Sequence, residues 1–197
     1  MRNEECVITF HLSIFPPFHL STFPSFFGGN FFLNKAVFFD RDGVLNEEIG
    51  YLFEVEKFKW TLGAIDSIKL CNEKNFLVIV VTNQSGVARD FYTEDDVKKI
   101  HDFMQVDLKN FGAHIDAFYY CPHHPEGVVE KYKKVCNCRK PKPGMILQAA
   151  KDFDIDLKQS ILFGDSQRDI DAAKNAGLKA GIFFSGGNLF DLVKTQI

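Results

Sequence analysis

Short apolar runs alternate with segments of helical periodicity from about residue 35 to the end of the chain. Five runs have the length and composition of buried strands. They lie at 36–39, 76–81, 115–120, 160–163 and 180–184. Helical patterns separate or follow them, at 65–71, 93–110, from about 145, at 169–175 and at 189–195. Such alternation predicts a three-layer α/β fold with a mainly parallel sheet.

Two of the predicted helices carry terminal signals. The segment 93–96 reads Thr-Glu-Asp-Asp, an acidic variant of a capping box, and apolar residues follow it at helical spacing. Gly177 follows the segment 169–175 and is a typical stop residue. The stretch 121–144 contains cysteines, histidines and prolines and is predicted to be a loop.

Residues 1–34 do not share this pattern. They contain eight phenylalanines and three prolines without a period of 2 or 3.6, so we predict no regular element there. A secretion signal is not indicated, because two acidic residues follow Arg2 and two prolines interrupt the middle. We expect a disordered extension or translated sequence upstream of the natural start, with a partner-binding arm as the alternative. Residues 35–197 are expected to form the single domain.

Composition narrows the classes of function. The 197 residues suit one domain. Lys plus Arg number 23 against 26 Asp plus Glu, and no long block of one sign marks a nucleic-acid-binding arm. The longest apolar runs, such as 76–81, are too short to cross a bilayer. We therefore expect a small substrate, and neither a nucleic-acid nor a membrane partner.

Acidic and polar residues follow several predicted strands. Asp40, Asp42, Thr82 and Asp165 all stand at carboxyl ends, where ligands collect in parallel sheets. Two carboxylates two positions apart repel each other unless a cation or a shared proton lies between them. An isolated Asp-Arg-Asp-Gly is more often a solvated turn. The recurrence of carboxylates at a second strand end favours a divalent cation.

Three of the five cysteines fall within 18 residues. Cys121, Cys136 and Cys138 accompany His123 and His124 in the predicted loop. Three thiolates and one imidazole form a set suited to structural Zn²⁺, with free buried thiols as the alternative reading. Either histidine could be the ligand. Metal-binding thiols indicate a reducing compartment, so a cytoplasmic protein is expected.

From residue 35 to its end, the chain resembles the haloacid dehalogenase-like (HAD) phosphohydrolases, because four motifs occur in that superfamily's order. They are the segment Asp40-Arg-Asp-Gly43, Thr82, Lys140, and Asp165 with Asp169. The resemblance implies that Asp40 is the nucleophile and forms an aspartyl-phosphate, while Asp42 is the general acid and base. An acid at the position of Asp42 is typical of the phosphatases.

The resemblance also implies the roles of the other motif residues. Mg²⁺ would be held by the carboxylates of Asp40 and Asp165 and the backbone carbonyl of Asp42. Thr82 and Lys140 would stabilise the phosphoryl group. Asp169 would orient Lys140 or a metal-bound water. No large cap domain is expected.

Within the superfamily the chain is similar to the branch of D-glycero-D-manno-heptose 1,7-bisphosphate phosphatases and histidinol-phosphate phosphatases. Both carry a zinc loop, and the branch pattern favours the ligands Cys121, His123, Cys136 and Cys138. Twelve residues separate His123 from Cys136, which favours the heptose enzymes. The implied reaction removes the 7-phosphate, in the synthesis of ADP- or GDP-heptose precursors of lipopolysaccharide or surface glycan. The substrate-binding residues implied are Glu48, Ile49, Gly50, Tyr51, Thr82, Asn83, Gln84, Ser85, Arg139 and Lys140.

Two alternatives remain at this point. One is histidinol-phosphate phosphatase activity, and the other is an inactive, zinc-stabilised binding module. Ser166 stands where relatives can have Lys, which weakens any inference about contacts to a second phosphate. We expect a monomer. Because related chains begin as Met-X-Lys-Ala-Val-Phe-Phe-Asp, we also hypothesise that translation starts at codon 33.

Overall fold

The structure, a computed structural model, describes residues 33–197 and, for the backbone alone, residues 7–10. Its strands are β1 (Val7–Phe10), β2 (Ala36–Phe39), β3 (Leu77–Asn83), β4 (Ala117–Cys121), β5 (Ile161–Gly164) and β6 (Ala180–Phe183). They form one sheet in the order β1-β4-β3-β2-β5-β6. β2 to β6 are mutually parallel, and β1 pairs antiparallel with β4 at one edge. The predicted, mainly parallel sheet is confirmed.

Helices cover both faces of this sheet. They are α1 (Ala64–Glu73), α2 (Glu94–Lys109), α3 (Gly144–Asp152), α4 (Gln167–Ala176) and α5 (Leu189–Val193). α1, α2 and α5 pack with Val37 and Phe39 on one face, whereas α3 and α4 pack with Phe38 on the other. Successive β2 side chains point to opposite faces, so the whole strand is buried and must be apolar throughout. The three-layer prediction is confirmed.

The predicted helix signals are present. The side chain of Thr93 accepts a hydrogen bond from the backbone N–H of Asp96, and the Asp96 carboxylate accepts one from the N–H of Thr93. This reciprocal capping box starts α2. Gly177 ends α4 with a positive φ of 80°, a conformation that glycine adopts without strain.

Two sequence-based expectations differ from the structure. No regular element was predicted in residues 1–34, but residues 7–10 form β1, because the outer edge of β4 offers unpaired backbone groups to an added strand. The rest of that prediction, up to residue 32, lies outside the described residues. In addition, β3 extends to Asn83, so Thr82 and Asn83 belong to the strand and do not follow it. Pairing with β4 up to Cys121 explains this extension.

Within residues 33–197, no insertion forms a separate cap domain, as predicted. The loop between β4 and α3 contains only a short 3₁₀ turn, Glu130–Tyr132. No helix in the described part of the chain has the length and apolar character needed to cross a membrane.

Candidate active site

Three neighbouring strands bring the predicted catalytic side chains to one edge of the sheet. Asp40 directly follows β2, Thr82 lies near the end of β3, and Asp165 directly follows β5. β2 is hydrogen-bonded between the other two strands and runs parallel to both. The carboxyl ends of these strands therefore coincide, although the chain separates Asp40 from Asp165 by more than a hundred residues.

Lys140 is a buried cation at the centre of this edge. Its Nζ lies 2.9 Å from Oδ1 of Asp40 and 2.6 Å from Oδ1 of Asp169, and it donates a hydrogen bond of 2.8 Å to the carbonyl of Val81. Burial alone would lower the pKa of Lys140, but the two carboxylates raise it above its ordinary value. Lys140 is therefore held in its charged form between Asp40 and Asp169.

The carboxyl group of Asp40 is in an environment that disfavours its negative charge. Burial raises its pKa to about 7, and the charges of Asp169 and Asp42 act in the same direction, while Lys140 opposes them. One carboxylate oxygen from each of Asp40, Asp165 and Asp169 lies within 4.8 Å of the others. Three such oxygens are the hard donors that Mg²⁺ prefers, so the residues present fit this ion.

Gly43 makes room for one of these carboxylates. Its φ is +80°, and a Cβ at this position would come within 2.0 Å of Oδ2 of Asp165. Only glycine combines this backbone conformation with the close approach. The glycine of the Asp40-Arg-Asp-Gly43 segment thus permits the carboxylates of two separate strand ends to meet.

Asp42 is held by a network of donors. Arg41 contacts both carboxylate oxygens of Asp42 through Nη2, at 2.9 and 3.0 Å, and Asn46 donates to it at 3.1 Å. The side-chain amide of Gln84 donates to Asp42 at 2.8 Å and to Oγ1 of Thr82 at 2.9 Å. The hydroxyl of Tyr92 in turn donates a hydrogen bond of 2.7 Å to the side-chain oxygen Oε1 of Gln84. Asp42 and Thr82 are therefore positioned by the same amide.

Asp42, Gln84 and Tyr92 line a cavity of about 280 Å³, together with Asp40 and Lys140. Nine of the ten predicted substrate-binding residues contribute to its wall, and Ile49 does not. The Ile49 side chain is 48 % exposed and lies outside the lining. Of the predicted metal ligands, Asp40, Asp42 and Asp165 all reach the cavity.

Several residues of the site were not identified from the sequence, among them Arg41, Tyr92 and Arg168. Arg41 is completely buried and holds Asp42, Tyr92 supports Gln84, and Arg168 lines the cavity. A signal for Arg41 was available, since an arginine that lies between two aspartates, two residues beyond the end of a fully apolar strand, is poorly placed for a solvated turn. No local pattern marked Tyr92.

The predicted zinc ligands form a second, separate cluster. The Sγ atoms of Cys121, Cys136 and Cys138 lie 3.1–3.5 Å apart. Nδ1 of His123 lies 3.8 Å from Sγ of Cys121 and 3.4 Å from Sγ of Cys138. The sulfur separations are too long for disulfides and near the edge of about 3.8 Å of a ZnS₃N tetrahedron. His124 faces away and contacts Arg89, so His123 is the histidine of the cluster.

Crowding of the thiols supports a cation at this cluster. Hydrogen bonds with Cys136 and Cys138, together with burial, raise the pKa of the Cys121 thiol far above its ordinary value. Thiolates this close are stable only when a metal shares their charge. The soft donors and their buried setting fit Zn²⁺.

The loop that carries this cluster also carries the buried lysine. The Asn83 side chain accepts a hydrogen bond from the Lys140 N–H at 3.0 Å and donates one to the Lys140 carbonyl at 3.1 Å. Glu94 accepts hydrogen bonds from the hydroxyls of Tyr120 and Tyr132, which connects the loop to the start of α2. Lys140 is thus held on a loop with several anchors.

The fold and the site together define a HAD-like hydrolase. Its features are a parallel sheet, Asp40 after the central strand β2, the buried Lys140, and Asp165 after the neighbouring strand β5. A HAD-hydrolase-like family model matches residues 137–188. The D-glycero-beta-D-manno-heptose-1,7-bisphosphate 7-phosphatase of Haemophilus influenzae is 43% identical over 79% of this chain and 84% of its own. The D-glycero-alpha-D-manno-heptose-1,7-bisphosphate 7-phosphatase of Photorhabdus laumondii is 44% identical over 73% of this chain and 79% of its own.

A solved structure agrees with these relatives. The D,D-heptose 1,7-bisphosphate phosphatase from B. bronchiseptica, complexed with magnesium and phosphate, has a TM-score of 0.70 and 33% identity. The match covers 83% of this chain and 87% of that one. The chain therefore belongs to the heptose-bisphosphate phosphatase family of HAD-like hydrolases, and the predicted family is confirmed.

Proposed function

We propose that this protein is a Mg²⁺-dependent phosphatase that removes the 7-phosphate from D-glycero-D-manno-heptose 1,7-bisphosphate. The observation that carries the proposal is the pairing of Asp40 with Lys140 at 2.9 Å, in a cavity that Asp42 and Asp165 also line. A carboxylate nucleophile beside a fixed cation is what phosphoryl transfer requires. The names of the relatives support the choice of substrate.

The proposed reaction has two steps. A carboxylate oxygen of Asp40 attacks the phosphorus, and the bond from phosphorus to the sugar oxygen breaks while Asp42 gives that oxygen a proton. Water then attacks the phosphorus of the aspartyl-phosphate and gives a proton to Asp42, while the bond between the phosphorus and the Asp40 oxygen breaks. Inorganic phosphate leaves, and Asp40 and Asp42 return to their starting states.

Other residues stabilise the transferred group. Lys140 supplies a positive charge and Thr82 a hydrogen bond to the phosphoryl oxygens. Asp40, Asp165 and the backbone carbonyl of Asp42 would hold Mg²⁺, which supplies Lewis-acid stabilisation of the phosphoryl charge. Asp169 keeps Lys140 in place. Gln84 and Arg41 orient Asp42, so that its carboxyl group faces the leaving oxygen.

The zinc cluster has a structural role in this proposal. By ordering the loop after β4, it would keep Arg139 and Lys140 at the cavity. Cys121, Cys136 and Cys138 form no disulfide with one another, which supports a reducing, cytoplasmic location. We further propose that the protein acts as a monomer on a small sugar phosphate, with Glu48, Gly50, Tyr51 and the segment 82–85 along the substrate.

Steady-state kinetics on two substrates test this function. We expect kcat/KM for heptose 1,7-bisphosphate to exceed that for histidinol phosphate by at least about tenfold, because a site that binds polar groups discriminates strongly against substrates that lack them. NMR of the product should show heptose 1-phosphate. A preference for histidinol phosphate would overturn the substrate assignment, and release of the 1-phosphate would overturn the position of cleavage.

A further inference from the structure

Tyr92 brings a buried hydroxyl group to the wall of the cavity. Its side chain is 8% exposed, and the hydroxyl donates a hydrogen bond of 2.7 Å to Oε1 of Gln84, which is itself 1% exposed. The ring stacks on Phe53, with the centroids 5.6 Å apart, and packs with Val87 and Val97. A phenylalanine would bury the same ring, so packing alone does not explain the hydroxyl.

The neighbouring backbone leaves room for this hydroxyl. A Cβ at Gly86 would come within 2.7 Å of the Tyr92 hydroxyl oxygen and still closer to the ring. Non-bonded carbon and oxygen atoms do not approach so closely, so the absence of a side chain at residue 86 lets Tyr92 reach Gln84. Burial also raises the pKa of Tyr92 above its ordinary value, so its hydroxyl stays protonated and remains a donor.

The side-chain amide of Gln84 uses both of its hydrogens within the site. Nε2 donates at 2.8 Å to Oδ2 of Asp42 and at 2.9 Å to Oγ1 of Thr82. Because Oγ1 of Thr82 accepts from this amide, the hydroxyl hydrogen of Thr82 is not taken by Gln84 and can be donated to a phosphoryl oxygen. The orientation of one amide thus sets the hydrogen-bond roles of two catalytic groups.

A reversed amide would place Oε1 where Nε2 now lies. This oxygen would repel the carboxylate of Asp42, or compete with the leaving oxygen for the proton that Asp42 donates, and it would accept the hydrogen of Thr82. Among the residues that the structure describes, Tyr92 supplies the hydrogen bond to Oε1. Without this donor, Oε1 would be a buried acceptor with no partner, so Tyr92 is the group that opposes the reversal.

We propose that Tyr92 is a positioning residue, which acts through Gln84 to keep the amide donating to Asp42 and Thr82. The proposal rests on the function proposed above. Tyr92 needs no contact with the reacting atoms, because its hydroxyl is occupied by Gln84. It fixes the amide that orients the general acid and the hydroxyl that binds the phosphoryl group.

Tyr92→Phe tests this role because it removes only the hydroxyl. We expect kcat for heptose 1,7-bisphosphate to fall about 3- to 10-fold, since one neutral hydrogen bond is lost, with KM changed by less than about twofold. On p-nitrophenyl phosphate, whose leaving group departs without a proton, the loss should be about twofold or less. Steady-state kinetics on both substrates measure this difference.

A double-mutant cycle with Gln84→Met separates action through the amide from a general structural effect. Gln84→Met removes the amide and keeps the length of the side chain, so adding Tyr92→Phe should then cause less than about a twofold further loss. Tyr119→Phe is the matched control, because Tyr119 is a buried tyrosine whose hydroxyl donates to Asp152 at 2.8 Å, outside the cavity. It should leave kcat unchanged on both substrates.

The role of Tyr92 would be overturned if Tyr92→Phe kept its kcat, raised mainly KM, or lost equally on both substrates. Losses that multiply in the cycle would contradict action through Gln84, as would an equal loss in Tyr119→Phe. Wild type that turns over histidinol phosphate but not the heptose would reject the proposed substrate alone. The same cycle on histidinol phosphate, whose alcohol also needs a proton, would then still decide on Tyr92.

Discussion

At the scale of single residues, Asp40 links metal binding to protonation. Burial is the main reason that its pKa is raised to about 7 from an ordinary value of 3.8, and Lys140 offsets this only in part. A proton and a divalent cation both relieve the repulsion among Asp40, Asp165 and Asp169. They should therefore compete for the same carboxyl group.

This competition predicts an unusual dependence of stability on pH in protein without added Mg²⁺. Because the folded-state pKa of Asp40 lies above its unfolded value, the folded chain binds the extra proton between about pH 4 and pH 7. The stability due to this group is present at low pH and is lost as the pH rises through that window. Asp40→Asn is neutral throughout and should lack this loss, so at pH 8 it should be more stable than wild type by roughly 4 kcal/mol, since a pKa raised from 3.8 to about 7 costs about 1.4 kcal/mol for each pH unit.

Urea unfolding of both proteins at pH 5 and pH 8 measures the difference. Asp66→Asn, at an exposed position in the first turn of α1, is the control and should follow the wild-type profile. If the free energies of unfolding of wild type and Asp40→Asn changed equally between pH 5 and pH 8, the burial of Asp40 would not destabilise its charged form as inferred.

The candidate site was partly predictable at this scale. Asp40, Asp42 and Asp165 stand out because carboxylates that follow apolar strands are chemically unusual. Arg41 stands between two aspartates, which hints at its role, but the role of Tyr92 depends on a contact with the side chain of Gln84 that only the folded chain creates. The sequence pattern around Tyr92 contains no information on this partner.

At the scale of elements, the loop between β4 and α3 depends on its metal cluster. We expect His123→Ala to lose zinc and at least about tenfold in phosphatase activity, because the loop that positions Lys140 would lose an anchor. His124→Ala should keep its zinc, since this neighbouring ring contacts Arg89 instead. Zinc content per chain and phosphate release together measure the effect. Loss of zinc from His124→Ala, with retention in His123→Ala, would reverse the ligand assignment.

Most elements could be predicted from periodicity and terminal signals. The capping box at Thr93 and the stop at Gly177 act locally, so the sequence displays them directly. β1 could not be predicted, because its backbone pairs with β4, over a hundred residues away. The extension of β3 to Asn83 has the same kind of cause, namely pairing with Cys121.

At the scale of the whole molecule, the order of strands in the sheet creates the site. β2 lies between β3 and β5, so Asp40 is placed beside Thr82 and Asp165 without any local sequence signal of their proximity. The helix layers on both faces bury β2 completely, and Asp40 at its end is poorly solvated. Helix α4 then adds Asp169 behind Lys140 and Arg168 at the cavity.

The central claim is that Asp40 is the nucleophile of a phosphatase. The most direct measurement is acid quenching of the protein during turnover of heptose 1,7-bisphosphate, followed by peptide mass mapping of the phosphoryl group. We expect to find the phosphoryl group on Asp40 in the wild-type protein. The variant Asp40→Asn should carry no phosphoryl group and show no turnover. A phosphoryl group on another residue, or wild-type turnover by Asp40→Asn, would contradict the account.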